Sequence, residues 1–163
     1  MLVRAFEEKD IPAICDIYNY YITNTTITFE EEALGVTVMG ARIDTYTKSF
    51  PYLVCEVEGA VVAYAYATKW RERVAYKKSV EVTVYVGHRF LGKAYGKALY
   101  SALLNALAEQ GCHVILAGIA LPNEASIGLH EHFGFEKVAH FSEVGNKFGK
   151  WVDVGYWQKT VPV

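Results

Sequence analysis

The residues from Val82 to Leu99 constrain this chain more than any others. Val82-Thr83-Val84-Tyr85-Val86 reads as a strand, rich in β-branched and aromatic side chains. It runs into Gly87-His88-Arg89-Phe90-Leu91-Gly92-Lys93-Ala94-Tyr95-Gly96, a loop spaced by glycines. Leu99, Leu103, Leu104 and Leu107 follow at helical spacing. A helix entered from such a loop presents free N–H groups and the positive end of its dipole where glycine lets a ligand approach. The pattern suits a phosphate, or else a strand-to-helix turn that needs glycine for its geometry alone.

One phosphate loop can be set aside. Gly87 to Lys93 fits G-x-x-x-x-G-K, but Ala94 stands where a magnesium-holding Ser or Thr belongs. The next apolar strand, Val114 to Ile119, runs into Ala120-Leu121-Pro122-Asn123, without the acidic residue that nucleotide hydrolysis requires.

The rest of the chain supplies one domain's worth of alternating elements over 163 residues. Leu2 to Phe6 is a short strand. Asp10 and Pro12 open a helix with Ile11, Ile14, Ile17, Tyr18, Tyr21 and Ile22 on one face. A second helix is expected over Glu31 to Tyr46. Tyr52 to Val57 and Ala60 to Trp70 form a hairpin about Glu58-Gly59, and Val80 to Val86 is the next strand. The helix Gly96 to Gln110 closes at Gly111. His113 to Ile119 is the fifth strand, and Asn123 caps a helix ending at Phe133-Gly134. A terminal hairpin is expected from Phe135 to Val144 and Lys150 to Thr160, turning at Gly145-Asn146. The order β-α-α-β-β-β-α-β-α-β-β predicts an α/β fold, a mixed and mostly antiparallel sheet with helices on both faces.

Composition excludes several classes of function. A net charge of -2 and the absence of a basic run interleaved with aromatics exclude a nucleic-acid partner. No apolar run reaches the roughly 18 residues of a spanning helix, so no membrane partner is expected. Charges at Arg4 and Glu7 argue against a signal peptide. Cys15, Cys55 and Cys112 are widely spaced and read as reduced core cysteines of a cytoplasmic protein. His130-Glu131-His132 lacks the H-E-x-x-H spacing, and no metal site is expected.

Two motifs together carry a resemblance. Leu91-Gly92-Lys93-Ala94-Tyr95-Gly96 is similar to the acyl-CoA pyrophosphate loop, Arg/Gln-x-x-Gly-x-Gly/Ala, of the GNAT superfamily of N-acetyltransferases; Leu91 and Ala94 depart from its pattern. The run from Leu121 to Phe135 resembles the superfamily's second signature, an Asn-led helix ending in Gly-Phe. Thr25 to Phe29, Arg71 to Tyr76, Val80 to Val86 and Lys147 to Gln158 are similar to the phosphinothricin and methionine-sulfone branch. This resemblance implies a sheet split between its fourth and fifth strands. It implies acetyl-CoA as co-substrate, and a small amino acid or analogue as acceptor.

For the co-substrate it implies Val84, Tyr85 and Val86 through their backbone, the loop Gly92, Lys93, Ala94, Tyr95, Gly96 and Lys97, and Asn123 with Ser126. Glu81 alternates with the valines of its strand, so it is either a solvated edge carboxylate or a general base that takes a proton from an ammonium. The matching glutamate of the branch is the base. His130 stands where many relatives carry a proton-donating tyrosine; it is an acid for the thiolate, a substrate ligand, or a hydrogen-bonded wall residue. Arg71 and Arg73 form a two-fork clamp for a carboxylate, phosphinyl or sulfonyl oxygen, or else a solvated loop with Lys77 and Lys78. Tyr76 and Phe29 join the acceptor site by resemblance. The aromatic terminal hairpin (Phe148, Trp151, Tyr156, Trp157) suggests a homodimer interface.

Overall fold

Alternating apolar residues on β2 (Tyr52–Val57) and β3 (Ala60–Lys69) build the middle of the sheet, joined by the tight Glu58-Gly59 turn. Both turn residues take positive φ, 52° and 80°, the geometry of a two-residue hairpin loop. The computed structural model describes residues 1–162. Besides this pair it contains strands β1 (Leu2–Ala5), β4 (Ser79–Val86), β5 (Val114–Ala120), β6 (Glu136–Lys147) and β7 (Lys150–Thr160). The helices are α1 (Ile11–Asn24), α2 (Val36–Thr47), α3 (Tyr95–Glu109) and α4 (Glu124–His132). All seven strands form one sheet in the order β1-β2-β3-β4-β5-β7-β6, and only β4 and β5 run parallel.

Each face of the sheet buries a different set of side chains. Val80 and Val82 of β4 and Ile115, Ala117 and Ile119 of β5 pack with Leu99, Leu103 and Leu107 of α3. Burying each such aliphatic side chain contributes roughly 2 kcal/mol. On the opposite face Tyr52, Val54 and Tyr64 meet Ile14, Ile17 and Tyr21 of α1 and Met39 and Ile43 of α2. Strand parity sends Glu81, Thr83 and Tyr85 to this second, tyrosine-rich side.

Two expected boundaries move. The second helix starts at Val36, not Glu31. Residues 25–35 form instead a loop held by side chains: Arg42 grips Glu30 at 2.6 and 2.8 Å, and Asn19 bonds both backbone groups of Leu34 at 2.8 Å. The terminal hairpin turns at Phe148-Gly149, not at Gly145-Asn146, and both turn residues take positive φ (54° and 72°). Gly145 lies inside β6, buried beneath the Phe29 ring; a Cβ there would come within 2.4 Å of that ring. The extra β6 residues between Phe141 and Gly145 form a bulge, where the Glu143 N–H bonds the Asp153 carboxylate at 2.7 Å.

Candidate active site

The parallel ladder between β4 and β5 pairs Ser79, Val80 and Glu81 with Val114, Ile115 and Leu116, and stops there. Beyond that vertex β4 stays on β3 as far as Val86, while β5 follows β7 as far as Ala120. Two bare strand edges therefore face a cleft of about 760 Å3. Register decides which backbone groups they offer. The Gly87 N–H bonds the Val62 carbonyl at 2.8 Å. With the two-residue period of an antiparallel ladder, Thr83 and Tyr85 bond to β3, and Val84 and Val86 turn toward the cleft. The Tyr21 hydroxyl donates to the Val86 carbonyl. The N–H and carbonyl of Val84 and the N–H of Val86 remain open. Tyr85 therefore does not contribute its backbone as expected: that backbone bonds to β3, and its ring packs against Tyr18, Tyr21 and Tyr64.

At its far end the cleft meets the glycine-spaced loop. Gly92 and Ala94 both take positive φ, 76° and 62°. Ala94 thus holds a left-handed conformation that the family pattern gives to glycine, at a cost of roughly 1–2 kcal/mol. The first bond of α3 runs from the Ala98 N–H to the Ala94 carbonyl at 3.2 Å, leaving the N–H groups of Tyr95, Gly96 and Lys97 without an intrahelical acceptor. At Gly96 a Cβ would meet Val86 at 3.3 Å, so glycine keeps α3 close to β4. Lys93 and Lys97 flank this anion cradle, while Leu91 is exposed on its rim. Every co-substrate candidate, from Val84 to Ser126, lines the cleft.

On the α4 side Asn123 caps its helix, accepting the Ser126 N–H at 3.2 Å. His130 lines the cleft but is 3% exposed. Its Nδ1 lies 2.7 Å from the Ser126 carbonyl and its Nε2 2.6 Å from the Tyr100 hydroxyl. The carbonyl can only accept, so Nδ1 carries the proton and Nε2 accepts from Tyr100. Burial lowers the pKa of this imidazole, against the raising effect of its bond to Ser126. A neutral ring with both nitrogens engaged fits the wall role and not the proton donor.

Glu81 is the last β4 residue before the split, half-buried, with Thr68 as its β3 partner. Burial raises its carboxyl pKa, opposed by the charge of Arg71. The Arg71 guanidinium lies 4.6 Å over the Trp70 ring. Among the described residues Arg71 and Arg73 form no ion pair, and both are exposed on the β3–β4 connection with Tyr76. The Phe29 ring lies over Gly145 of β6. The geometry thus brings Arg71 near Glu81, while the walls of the 760 Å3 cleft include none of Phe29, Arg71, Arg73 and Tyr76. No group of three or more His, Cys, Asp or Glu among the described residues is arranged to hold a metal ion.

Sequence alone puts Tyr21 in the core and leaves the segment from Lys147 to Trp151 between the substrate pocket and a dimer contact. Helical spacing placed Tyr21 in the core, which hid its hydroxyl at the cleft edge. Lys147 is fully buried and donates to the carbonyls of Ile22 at 2.7 Å and Thr28 at 2.8 Å. No sequence pattern marks such a lysine.

Residues 3–155 of the chain that builds this split sheet and cradle match a family described as "Acetyltransferase (GNAT) domain". The chain belongs to this GNAT acetyltransferase family. It is 39% identical to a phosphinothricin N-acetyltransferase of Streptomyces viridochromogenes over 157 residues, covering 96% of this chain and 86% of the relative. It is 38% identical to an L-methionine sulfoximine/L-methionine sulfone acetyltransferase of Pseudomonas aeruginosa, covering 96% and 92%. A crystal structure of a phosphinothricin acetyltransferase from Sinorhizobium meliloti in complex with acetyl-CoA superposes with a TM-score of 0.95 at 34% identity, covering 98% and 88%. The GNAT fold and its acetyl-CoA cleft thus account for the bare strand edges and the cradle.

Proposed function

We propose that this acetyltransferase moves the acetyl group of acetyl-CoA onto the amino group of a small amino acid or analogue. The acceptor class is that of phosphinothricin, methionine sulfone and methionine sulfoximine, with Glu81 as general base. The observation that carries this reading is Glu81 itself: a carboxylate at the vertex of the split, free of any ion pair among the described residues and raised in pKa by burial. The names of the most similar relatives support the acceptor class.

When bound, acetyl-CoA supplies a thioester. The acceptor arrives mostly as ammonium at neutral pH and must lose a proton to attack. Glu81 takes that proton, directly or through a water, a role contributing about 10²–10⁴-fold. The nitrogen bonds to the acetyl carbon and the carbon–sulfur bond breaks. Of the two protons lost by the ammonium, one leaves through Glu81 to solvent and the other ends on the thiol. The N–H groups of Val84 and Val86 are the donors open to charge on the carbonyl oxygen. The N–H groups of Tyr95, Gly96 and Lys97, with the ammonium groups of Lys93 and Lys97, hold the pyrophosphate. Asn123, its side-chain oxygen spent on Ser126, offers its amide N–H groups to the pantetheine arm. His130 and Tyr100 hold the wall. Arg71 and Arg73 take the carboxylate and the side-chain oxygens of the acceptor, with Tyr76 and Phe29 lining its side.

A second copy of this chain is the proposed partner, on the edge strand β6 and its turn. Phe141 and Val144 of β6, Phe148 of the turn and Trp151 at the start of β7 are exposed there, at 49%, 61%, 54% and 67%. Trp157 is buried in the core and Tyr156 is half-buried, so the patch is narrower than the hairpin sequence suggests. The three cysteines are free and buried, which fits a reducing cytoplasm.

Thiol release from acetyl-CoA against phosphinothricin, methionine sulfone, methionine sulfoximine, the common amino acids, a polyamine and a peptide tests the acceptor. Turnover on the analogues supports the reading. Turnover only on peptide or polyamine overturns the acceptor class. Acetyl-CoA binding without turnover on any amine makes the chain an acyl-CoA sensor instead.

A further inference from the structure

Gly118 of β5 lies just past the vertex, two residues beyond Leu116, the last partner of β4. The Leu121 N–H bonds the Asp153 carbonyl at 2.9 Å, so the β5–β7 ladder takes the backbone of Ile119 and turns that of Gly118 toward the cleft. Tyr156 is the β7 partner of Gly118 and lays its ring over it. A Cβ on Gly118 would lie 3.1 Å from Cζ and 3.2 Å from the hydroxyl oxygen of Tyr156. Glycine there makes room for the tip of the tyrosine.

The ring is fixed on two further sides. Trp70 meets it edge-on at 5.5 Å and Phe141 at 6.0 Å. Trp70 also carries the Arg71 guanidinium. The hydroxyl has no hydrogen-bond partner among the described residues, and no buried side-chain polar atom is left without one. The hydroxyl is therefore not sealed in the core but at least partly open to solvent. Glu81 and Arg71 are the charged groups that act on it.

We propose that Tyr156 is an acceptor-binding residue, whose hydroxyl accepts an N–H of the substrate ammonium and holds that nitrogen beside Glu81. This assignment rests on the amine-acetylation reading above. A neutral phenol has two acceptor lone pairs and one donor, so it takes the ammonium N–H while its own O–H points to the carboxylate or a water. Burial, and next the charge of Glu81, raise the phenol pKa, with Arg71 opposing, which keeps the hydroxyl protonated at neutral pH. Room for the hydroxyl depends on Gly118, and the ring stays anchored by its aromatic neighbours when the hydroxyl is removed.

The test is calorimetric titration of Tyr156→Phe and of the unaltered protein, both saturated with CoA. The two ligands are methionine sulfone and its analogue lacking the amino group. Loss of the hydroxyl should weaken methionine sulfone about tenfold. The deaminated analogue should change less than about twofold. Equal weakening of both ligands, or no change in either, overturns the assignment. Thiol release with the same amino acid reads the transfer reaction separately. A protein that binds the amine in a Tyr156-dependent way but releases no thiol keeps this assignment and loses the acetyl-transfer reading.

Discussion

Replacing Lys147 with methionine tests how the acceptor side of the cleft is held. Lys147 is fully buried, and its ammonium bonds the carbonyls of Ile22 and Thr28 at 2.7 and 2.8 Å. Ile22 lies in the last turn of α1, whose carbonyls have no intrahelical donor. Lys147 is therefore a cation on a helix C-terminus, where the dipole favours it. It also ties that end to the loop bearing Ile27 and Phe29. Two terms oppose each other on substitution. Methionine fills much of the same volume and removes the cost of a buried charge, a cost seen in the lowered pKa of the lysine. Against that, two buried carbonyls lose their donor, at about 1–3 kcal/mol each. No carboxylate lies within ion-pair distance of Lys147 among the described residues, so no stranded partner charge adds to the loss. The carbonyl term wins by about 2 kcal/mol, or a fall of roughly 4–8 °C in Tm for a chain of this size. Thermal unfolding followed by circular dichroism measures it, with acceptor KM as the second readout. A variant as stable as the parent, or more so, refutes the reasoning. The loop would then be held by Phe29 on Gly145 and by the Glu30–Arg42 pair.

Other expectations follow from single contacts. Asp10 is 3% exposed and takes two bonds from Arg4, at 2.8 and 2.9 Å, plus the Glu7 N–H at 2.8 Å. Arg4 is the first cause that holds its carboxyl below the usual range. Its contribution is thus present above an unfolded pKa of about 3.9 and is lost as pH falls through the lower folded value. Asp10→Ala should destabilise by about 2–4 kcal/mol at neutral pH in urea unfolding, and a loss below about 1 kcal/mol would contradict the pairing. Arg73→Ala should raise acceptor KM about 10–100-fold, leave acetyl-CoA KM unchanged, and leave Tm within about 2 °C. A matching rise in both KM values would point to a fold defect instead. Replacing both Phe148 and Trp151 with Ser should yield a monomer in light scattering; an unchanged mass in parent and variant would remove β6 as the interface.

How much of this was legible in the sequence varies with the kind of information each part depends on. Strand parity and helical spacing are local, and the element order and both core faces follow from them. Asn123 and Gly111 mark helix ends through chemistry that needs only near neighbours. The start of α2 was misjudged because residues 25–35 are held by distant partners, Arg42 and Asn19, that no local pattern reveals. The Gly145-Asn146 turn was a reasonable reading of turn chemistry. It was overridden by Phe29, which needs a residue without a side chain beneath its ring. At the site, the glycine spacing marks the cradle, and the alternation of Glu81 with valines marks the carboxylate at the vertex that we propose as base. Register depends on the β3 ladder, so sequence alone does not separate the backbone of Tyr85, which bonds to β3, from those of Val84 and Val86 beside it. Tyr21 and Lys147 make their hydrogen bonds across the fold, to Val86 and to Ile22 and Thr28, so spacing alone leaves Tyr21 in the core and Lys147 between pocket and dimer contact.

The pH dependence of kcat for acetyl transfer to methionine sulfone, in the parent and in Glu81→Gln, tests the central claim most directly. Burial raises the Glu81 carboxyl, so the parent should lose activity as pH falls through a value above the ordinary carboxylate range near 4.3. Glu81→Gln should lower kcat about 10²–10⁴-fold at pH 7 and recover part of it at high pH, where free amine is more abundant. An unchanged kcat and an unchanged pH profile would contradict the account.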